Sequence, residues 1–188
     1  MKKIIILFIF LFFLSCQPIE KIDSIIFDNN QFSKFEVFSR SIEINQIFEK
    51  KISNPYIGYT LEVDPSQRII DWVNQNFDAM GNENIFIVSI LDASLLQTEF
   101  ENKEAKSFDE KTNFKYELFY LVEFNLFDNS SNLVATTLVE ASRSTTSGLY
   151  ISIQEKENII NDLIYETLSD LSDESLLLLK KYMGDFIL

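Results

Sequence analysis

Histidine is absent from all 188 residues. That removes the commonest general base and the commonest metal ligand. Cysteine occurs once, at Cys16, so no intrachain disulfide can form. Three prolines and four glycines leave little material for long flexible linkers. Positive charge is scarce: 16 Lys and Arg face 29 Asp and Glu, a net charge of −13. Such a chain is repelled by nucleic acid and by anionic lipid head groups, which excludes a nucleic-acid partner. There is no glycine-rich phosphate loop, no GxSxG elbow and no metal-ligand spacing. The expectation is therefore a protein that is not an enzyme and holds no cofactor or metal. Acid–base chemistry here would need paired carboxylates, a lysine or a tyrosine. Asp92 with Glu140 is a candidate pair that the sequence alone does not bring together. The acidic cluster Asp170, Asp173 and Glu174 lacks calcium-loop spacing and reads as a solvated helix face.

What is present is apolar. Aromatic residues make up 14%, with 18 phenylalanines among them. That is enough to fill the core of one domain of this length.

The chain opens MKKIIILFIFLFFLSCQ. Two lysines precede an unbroken apolar run from Ile4 to Leu14. A membrane-spanning helix needs about 20 apolar residues, so the run is short for a span. A basic start and an apolar stretch of this length suit a secretion signal. Ordinary signal cleavage before Cys16 would place bulky Phe13 at −3, where a small residue is wanted.

Beyond it, QPIEKIDSIIFDNNQF shows no sustained period and reads as a tether, docked through Ile25, Ile26 and Phe27. Phe35, Val37, Ile42 and Ile44 suggest one first strand with a break near Ser39-Arg40-Ser41. Residues 53–63 hold Pro55 and Gly58 and read as a loop. Asp64-Pro65-Ser66-Gln67 is a helix start, with Asp64 as cap and Gln67 at the capping-box position. Ile69, Trp72, Val73, Phe77 and Met80 follow at helical spacing, and Gly81 is expected to close the helix. Trp72 falls in that apolar stripe and reads as core.

Ile85 to Leu91 is nearly continuous apolar sequence, as in an interior strand. Asp92 interrupts it. Either the carboxylate is buried and perturbed, or a bulge turns it outward. Glu101 to Thr112 is charged and reads as a hairpin loop. From Asn113 to Phe127, Phe114, Tyr116, Leu118, Tyr120, Val122, Phe124 and Leu126 share one face. Lys115, Glu117, Glu123 and Asn125 mark the other, broken by Phe119 and Leu121, which are therefore candidate partner contacts. A turn cluster at 128–132 leads to a fourth strand, Leu133 to Arg143. Ser152-Ile153-Gln154-Glu155 opens a last helix with an expected kink near Ser172 and an end at Gly184, before an apolar tail. These elements predict an α+β two-layer sandwich in the order β-α-β-β-β-α. Its mainly antiparallel sheet of about four strands carries two helices on one face.

Two resemblances attach to particular residues. Phe13-Leu14-Ser15-Cys16 resembles a bacterial lipobox, although Phe13 and Leu14 stand where Leu and a small residue are usual. This implies a signal peptide over 1–15, an acylated Cys16 with a tether to residue 32, and one domain over 33–188. Two or more acyl chains anchor stably. Gln17, in place of an aspartate, implies the periplasmic face of the outer membrane.

The β-α-β-β-β-α order resembles small envelope lipoproteins that assist lipid export, the lipopolysaccharide-assembly lipoprotein LptE and the ABC-transport auxiliary lipoproteins of the PqiC kind. Trp72, Gly81, Asp92-Ala93-Ser94 and Glu140-Ala141-Ser142-Arg143-Ser144-Thr145 resemble a group of alphaproteobacterial lipoproteins. The resemblance to the LptE and PqiC kinds implies a non-catalytic adaptor or accessory subunit of an envelope complex, with a protein partner; the resemblance to the alphaproteobacterial group implies no activity and no catalytic residue. The alternative is a carrier that binds a lipid or other apolar ligand between helices and sheet.

Overall fold

A computed structural model describes residues 27–101 and 112–187. The chain forms β1 (Phe35–Val37), β2 (Ser41–Gln46), α1 (Pro65–Asn76), β3 (Phe77–Ala79), β4 (Ile85–Glu101), β5 (Thr112–Phe127), β6 (Leu133–Gly148) and α2 (Ile153–Tyr182). Four strands make the main sheet in the order β2-β4-β5-β6. β4, β5 and β6 run antiparallel, while β2 lies parallel to β4. Both helices pack on one face of this sheet, which is the two-layer α+β sandwich the periodicity implies.

Each element starts where local chemistry allows. The Asp64 carboxylate accepts from the backbone N–H groups of Ser66 and Gln67 and so caps α1, with Pro65 at its first position. Gln67 does not reach back to the cap; its amide donates to Asp71 at 2.9 Å. The Ser152 hydroxyl accepts from Glu155 N–H at the start of α2. That helix runs to Tyr182 without a break at Ser172. Ser172 and Ser175 are buried along it, and Lys180 and Lys181 stand in its last turn, where cations favour the dipole.

The expected first strand is two strands in two different sheets. β1 pairs in parallel with β3 in a small second sheet, while β2 joins β4. The crossing is fixed by Arg40 N–H, which donates to the carbonyls of Glu83 and Asn84 at 2.8 and 3.0 Å. The first helix is also shorter than its apolar spacing suggests. It stops at Asn76, and Phe77 begins β3. Phe77 gains more there than another helical turn would give. Its ring stacks on Phe35 at 4.2 Å, meets Trp72 edge-on at 5.1 Å, and lies against Phe86 and Phe124. Met80, on the expected helix stripe, is instead 56% exposed. Gly81 therefore does not end a helix. Its backbone passes the backbone of Phe38 and Ser39 so closely that a Cβ would lie 3.0 Å from it.

The core fills the space between the layers. Trp72, Phe35, Phe86, Phe124, Tyr116 and Tyr120 are fully buried in it, joined by Ile164, Leu168 and Leu171 of α2. The C-terminal residues close the end of the small sheet: Phe38 N–H donates to Phe186 C=O at 2.8 Å, and Ile187 bridges to Val37. Phe27 and Phe32 pack on Tyr165 of α2 with ring centres 5.4 and 5.3 Å away. Of the three docking residues expected at the N-terminus, Phe27 docks on the domain; Ile25 and Ile26 lie outside the described residues.

Candidate functional site

The period of two in β5 sends Tyr116, Leu118, Tyr120, Val122, Phe124 and Leu126 into the core. The same period puts Phe119 and Leu121 on the opposite face, where they are half-buried. Among the described residues, no helix or second sheet covers that face. Phe119 stands between Ser94 of β4 and Ser142 of β6, and Leu121 between Asp92 and Glu140. Ile87 and Leu138 continue the apolar row, opposite Asn125 and Glu123 of β5. Leu138 is 54% exposed.

Asp92 reaches this face through a bulge. Ile90 pairs with Val122 and Asp92 with Leu121, which leaves Leu91 as the extra residue. Without it, strand alternation would aim Asp92 at the core. The carboxylate accepts from the Ser94 hydroxyl and stays partly exposed. Asp92 and Glu140 are thus on one face, but Leu121 lies between them. Two strand spacings separate them by roughly 10 Å, too far to share a proton. The other charges are Glu117, which accepts from Lys115 at 2.7 Å, and Glu123, which accepts from Asn125 at 2.7 Å. A shallow cavity of about 410 Å³ opens here, lined by Leu96, Glu117, Phe119, Ser142 and Ser144 among others. The chemistry available is that of an apolar strip edged by carboxylates.

A second cavity lies on the helix side and had no signal in the sequence. It has a volume of about 360 Å³ and runs between the start of α1 and the start of α2. Leu61, Val63, Ile153 and Ile160 line it, with Arg68, Lys156, Glu62 and Glu157 as its charges. The Arg68 guanidinium lies 4.0 Å over the Phe27 ring. Burial lowers its pKa, against the attraction of Asp71 and other neighbours. Next to Arg68, burial drives the Tyr120 hydroxyl pKa far upward and keeps it neutral. Lys156 donates to Gln97 at 2.7 Å. Arg68 sits one position before Ile69 in the apolar stripe, and periodicity alone gives no reason to single it out.

The acidic helix face is engaged in part. Arg143, near the end of β6, donates to Asp170 at 2.9 Å and to Glu166 at 3.0 Å. Among the described residues, no group of three or more His, Cys, Asp or Glu is placed to hold a metal ion. Among the same residues, no helix is long and apolar enough to cross a membrane. Cys16 and the interior of the 101–112 loop lie outside the described residues; Glu101 and Thr112 themselves pair at the end of the β4–β5 ladder.

No protein-family model matches the chain, and no curated protein matches it in sequence. Among solved structures, the chain is similar to a minor lipoprotein from Acinetobacter baumannii, known from a 2.35 Å crystal structure. The TM-score is 0.38 and the identity 9%, over 73% of this chain and 87% of that one. A likeness of this size carries nothing about activity.

Proposed function

We propose that this protein is a lipid-anchored envelope lipoprotein, acylated at Cys16 and held at the periplasmic face of the outer membrane. There it acts as a non-catalytic adaptor or accessory subunit of a lipid-transport or assembly complex. The observation that carries the adaptor role is the face of the main sheet that no element among the described residues covers. Phe119 and Leu121 form the centre of an apolar strip on a strand whose other face is fully packed. Such a strip, rimmed by polar groups, is the composition of a protein-binding patch.

The carrier alternative asks for space between helices and sheet. Trp72, Phe77, Phe86 and Phe124 stack in that space, and the cavity of about 360 Å³ on the helix side carries Arg68, Lys156, Glu62 and Glu157 in its wall; neither suits an apolar ligand, which favours the adaptor. A catalytic role has equally little support, because Leu121 separates the two candidate carboxylates.

Two variants test the proposal. Cys16→Ser should leave the protein unprocessed and release it from the outer-membrane fraction; normal processing and anchoring would overturn the lipoprotein reading. Phe119→Ser with Leu121→Ser should abolish in-cell crosslinking to the partner that wild type captures. Unchanged capture by a stably folded double variant would overturn the role of the sheet face.

A further inference from the structure

The main sheet ends in two strands of unequal length. One edge is β2, only 6 residues long, and behind it β4 is covered from Ile85 to Gln97. β2 covers Ile85 to Ile90. Ile47 and Phe48 then donate to Ile90 C=O at 3.1 and 2.9 Å, Ile57 donates to Leu95 C=O at 2.9 Å, and Gln97 donates to Pro55 C=O at 2.9 Å. On the other side β6 ends the sheet. Over its 16 residues, no backbone bond from another described element reaches the outer edge. About half of its N–H and C=O groups therefore face outward. The sequence LVATTLVEASRSTTSG holds no proline and no lysine, the usual guards of an exposed edge, and is rich in β-branched residues.

Space and charge beside this edge describe what fits it. The cavity of about 410 Å³ lies on the outer face at Ser142 and Ser144, with Phe119 and Glu117 in its wall. Another of about 440 Å³ lies on the inner side of the same stretch, lined by Arg143, Ser144, Thr145, Ile159, Asp162 and Glu166 among others. Side chains of an added strand alternate between two faces, and here each face offers a depression. Carboxylates outnumber cations beside both depressions among the described residues. Glu140 and Glu117 stand on the outer face, where Lys115 pairs with Glu117. Asp162 and Glu166 stand on the inner, where Arg143 is engaged by Glu166 and Asp170. Glu140 and Asp162 are exposed. A second copy of the chain would bring another −13 to this edge.

We infer that β6 is a strand-addition site for an extended, lysine- or arginine-bearing segment of a partner protein, which pairs with the backbone around Leu138–Thr146 and sets its basic side chains between Glu140 and Asp162. Main-chain bonds then supply affinity and the alternating carboxylates supply selectivity. This rests on the adaptor reading above but uses a different surface element.

Hydrogen exchange on the full chain in a non-ionic detergent tests it without the native partner. The probe is a synthetic peptide of alternating lysine and valine; the control alternates glutamate and valine. The lysine peptide should slow exchange across β6 by about tenfold or more, and the glutamate peptide should not. Glu140→Lys with Asp162→Lys, both on exposed positions, should melt with the wild type and lose that protection. Protection elsewhere but not in β6, equal protection by both peptides, or protection retained by the double variant would overturn the inference. So would β6 protection that arises without peptide and rises with protein concentration, which would assign the edge to a second copy. The assay is blind to Phe119 and Leu121 as crosslinking sites, so failure here and failure of the sheet-face reading are separable.

Discussion

Phe77→Ala is the sharpest test of how this core is organised. Phe77 is 6% exposed and sits at the junction of α1 and β3. Its ring stacks on Phe35 at an interplanar angle of 11° and meets Trp72 at 90°. It also lies 6.2 Å from Phe86 and 5.9 Å from Phe124, so it ties the small sheet to the main one. Truncating a buried phenylalanine costs about 3–5 kcal/mol through lost transfer energy and an unfilled cavity. Four ring contacts at one site place the expected loss in the upper half of that range. A domain of this size loses about 2–4 °C of melting temperature per kcal/mol, so melting should fall by roughly 8–20 °C. Thermal unfolding followed by far-UV circular dichroism, with a urea titration at unchanged slope, reads this directly. Phe119→Ala is the control, because a half-buried ring on an open face forfeits much less. If Phe77→Ala costs under about 1.5 kcal/mol, or no more than Phe119→Ala, the two sheets do not share a core through this ring.

Asp64→Ala removes the cap of α1 and should cost about 1–2 kcal/mol by urea titration. Burial acts to raise the Asp64 pKa, but the bonds from Lys50, Ser66 and Gln67 outweigh it and hold the pKa below the ordinary 3.8. A lowered folded-state pKa gives stability that is present above the unfolded value and lost as pH falls through the folded one. The advantage of wild type over the variant should thus be flat from neutral pH to about 5 and shrink below about 4; a constant gap down to pH 2 would contradict this. Arg143→Ala breaks contacts to Glu166 and Asp170 on an exposed surface, so its cost should stay below about 1 kcal/mol and shrink further in 1 M salt.

Where one face of an element is packed, the sequence is a faithful guide. The seven alternating apolar residues from Phe114 to Leu126 determine the orientation of β5 without reference to anything distant. Asp64-Pro65 and Ser152 with Glu155 place both helix starts within the capping residue itself. Asp92, an acid inside an apolar run, marks the bulge that turns it outward. What stayed hidden was decided by partners remote in the chain. Phe77 keeps helical spacing with Trp72 and Val73, and only Phe35 makes a strand the better home for it. The split of the first strand follows from Arg40 finding carbonyls at Glu83 and Asn84. β6 continues past Arg143 to Gly148 because β5 offers it partners as far as Asn113. Of the candidate contacts, Phe119 and Leu121 were legible, since they break a polar face. The β6 edge was not, because an edge is defined by the absence of a neighbour among the described residues, and no single residue of the strand announces it.

The placement of these surfaces relative to the N-terminus gives the adaptor proposal a geometric consequence. Phe27 contacts Tyr165 of α2 and Arg68 of α1, so the described chain enters the domain on the helix layer. The apolar strip of Phe119 and Leu121 lies on the opposite side of the sheet. The anchor proposed at Cys16 would stand eleven residues before Phe27, a reach of at most about 40 Å when fully extended. That limit keeps the helix layer within about a domain's width of the bilayer, while the sheet face remains available to a partner. The net negative charge, which deepens once the proposed signal peptide and its Lys2 and Lys3 are removed, works in the same direction, because anionic head groups repel a domain that settles onto them. Shortening the stretch between Cys16 and Phe27 should then leave the sheet face accessible. A shortened variant that is still acylated and folded should therefore crosslink through Phe119 as wild type does. Loss of crosslinking on shortening would mean that the strip meets its partner on the membrane side, with the domain oriented the opposite way.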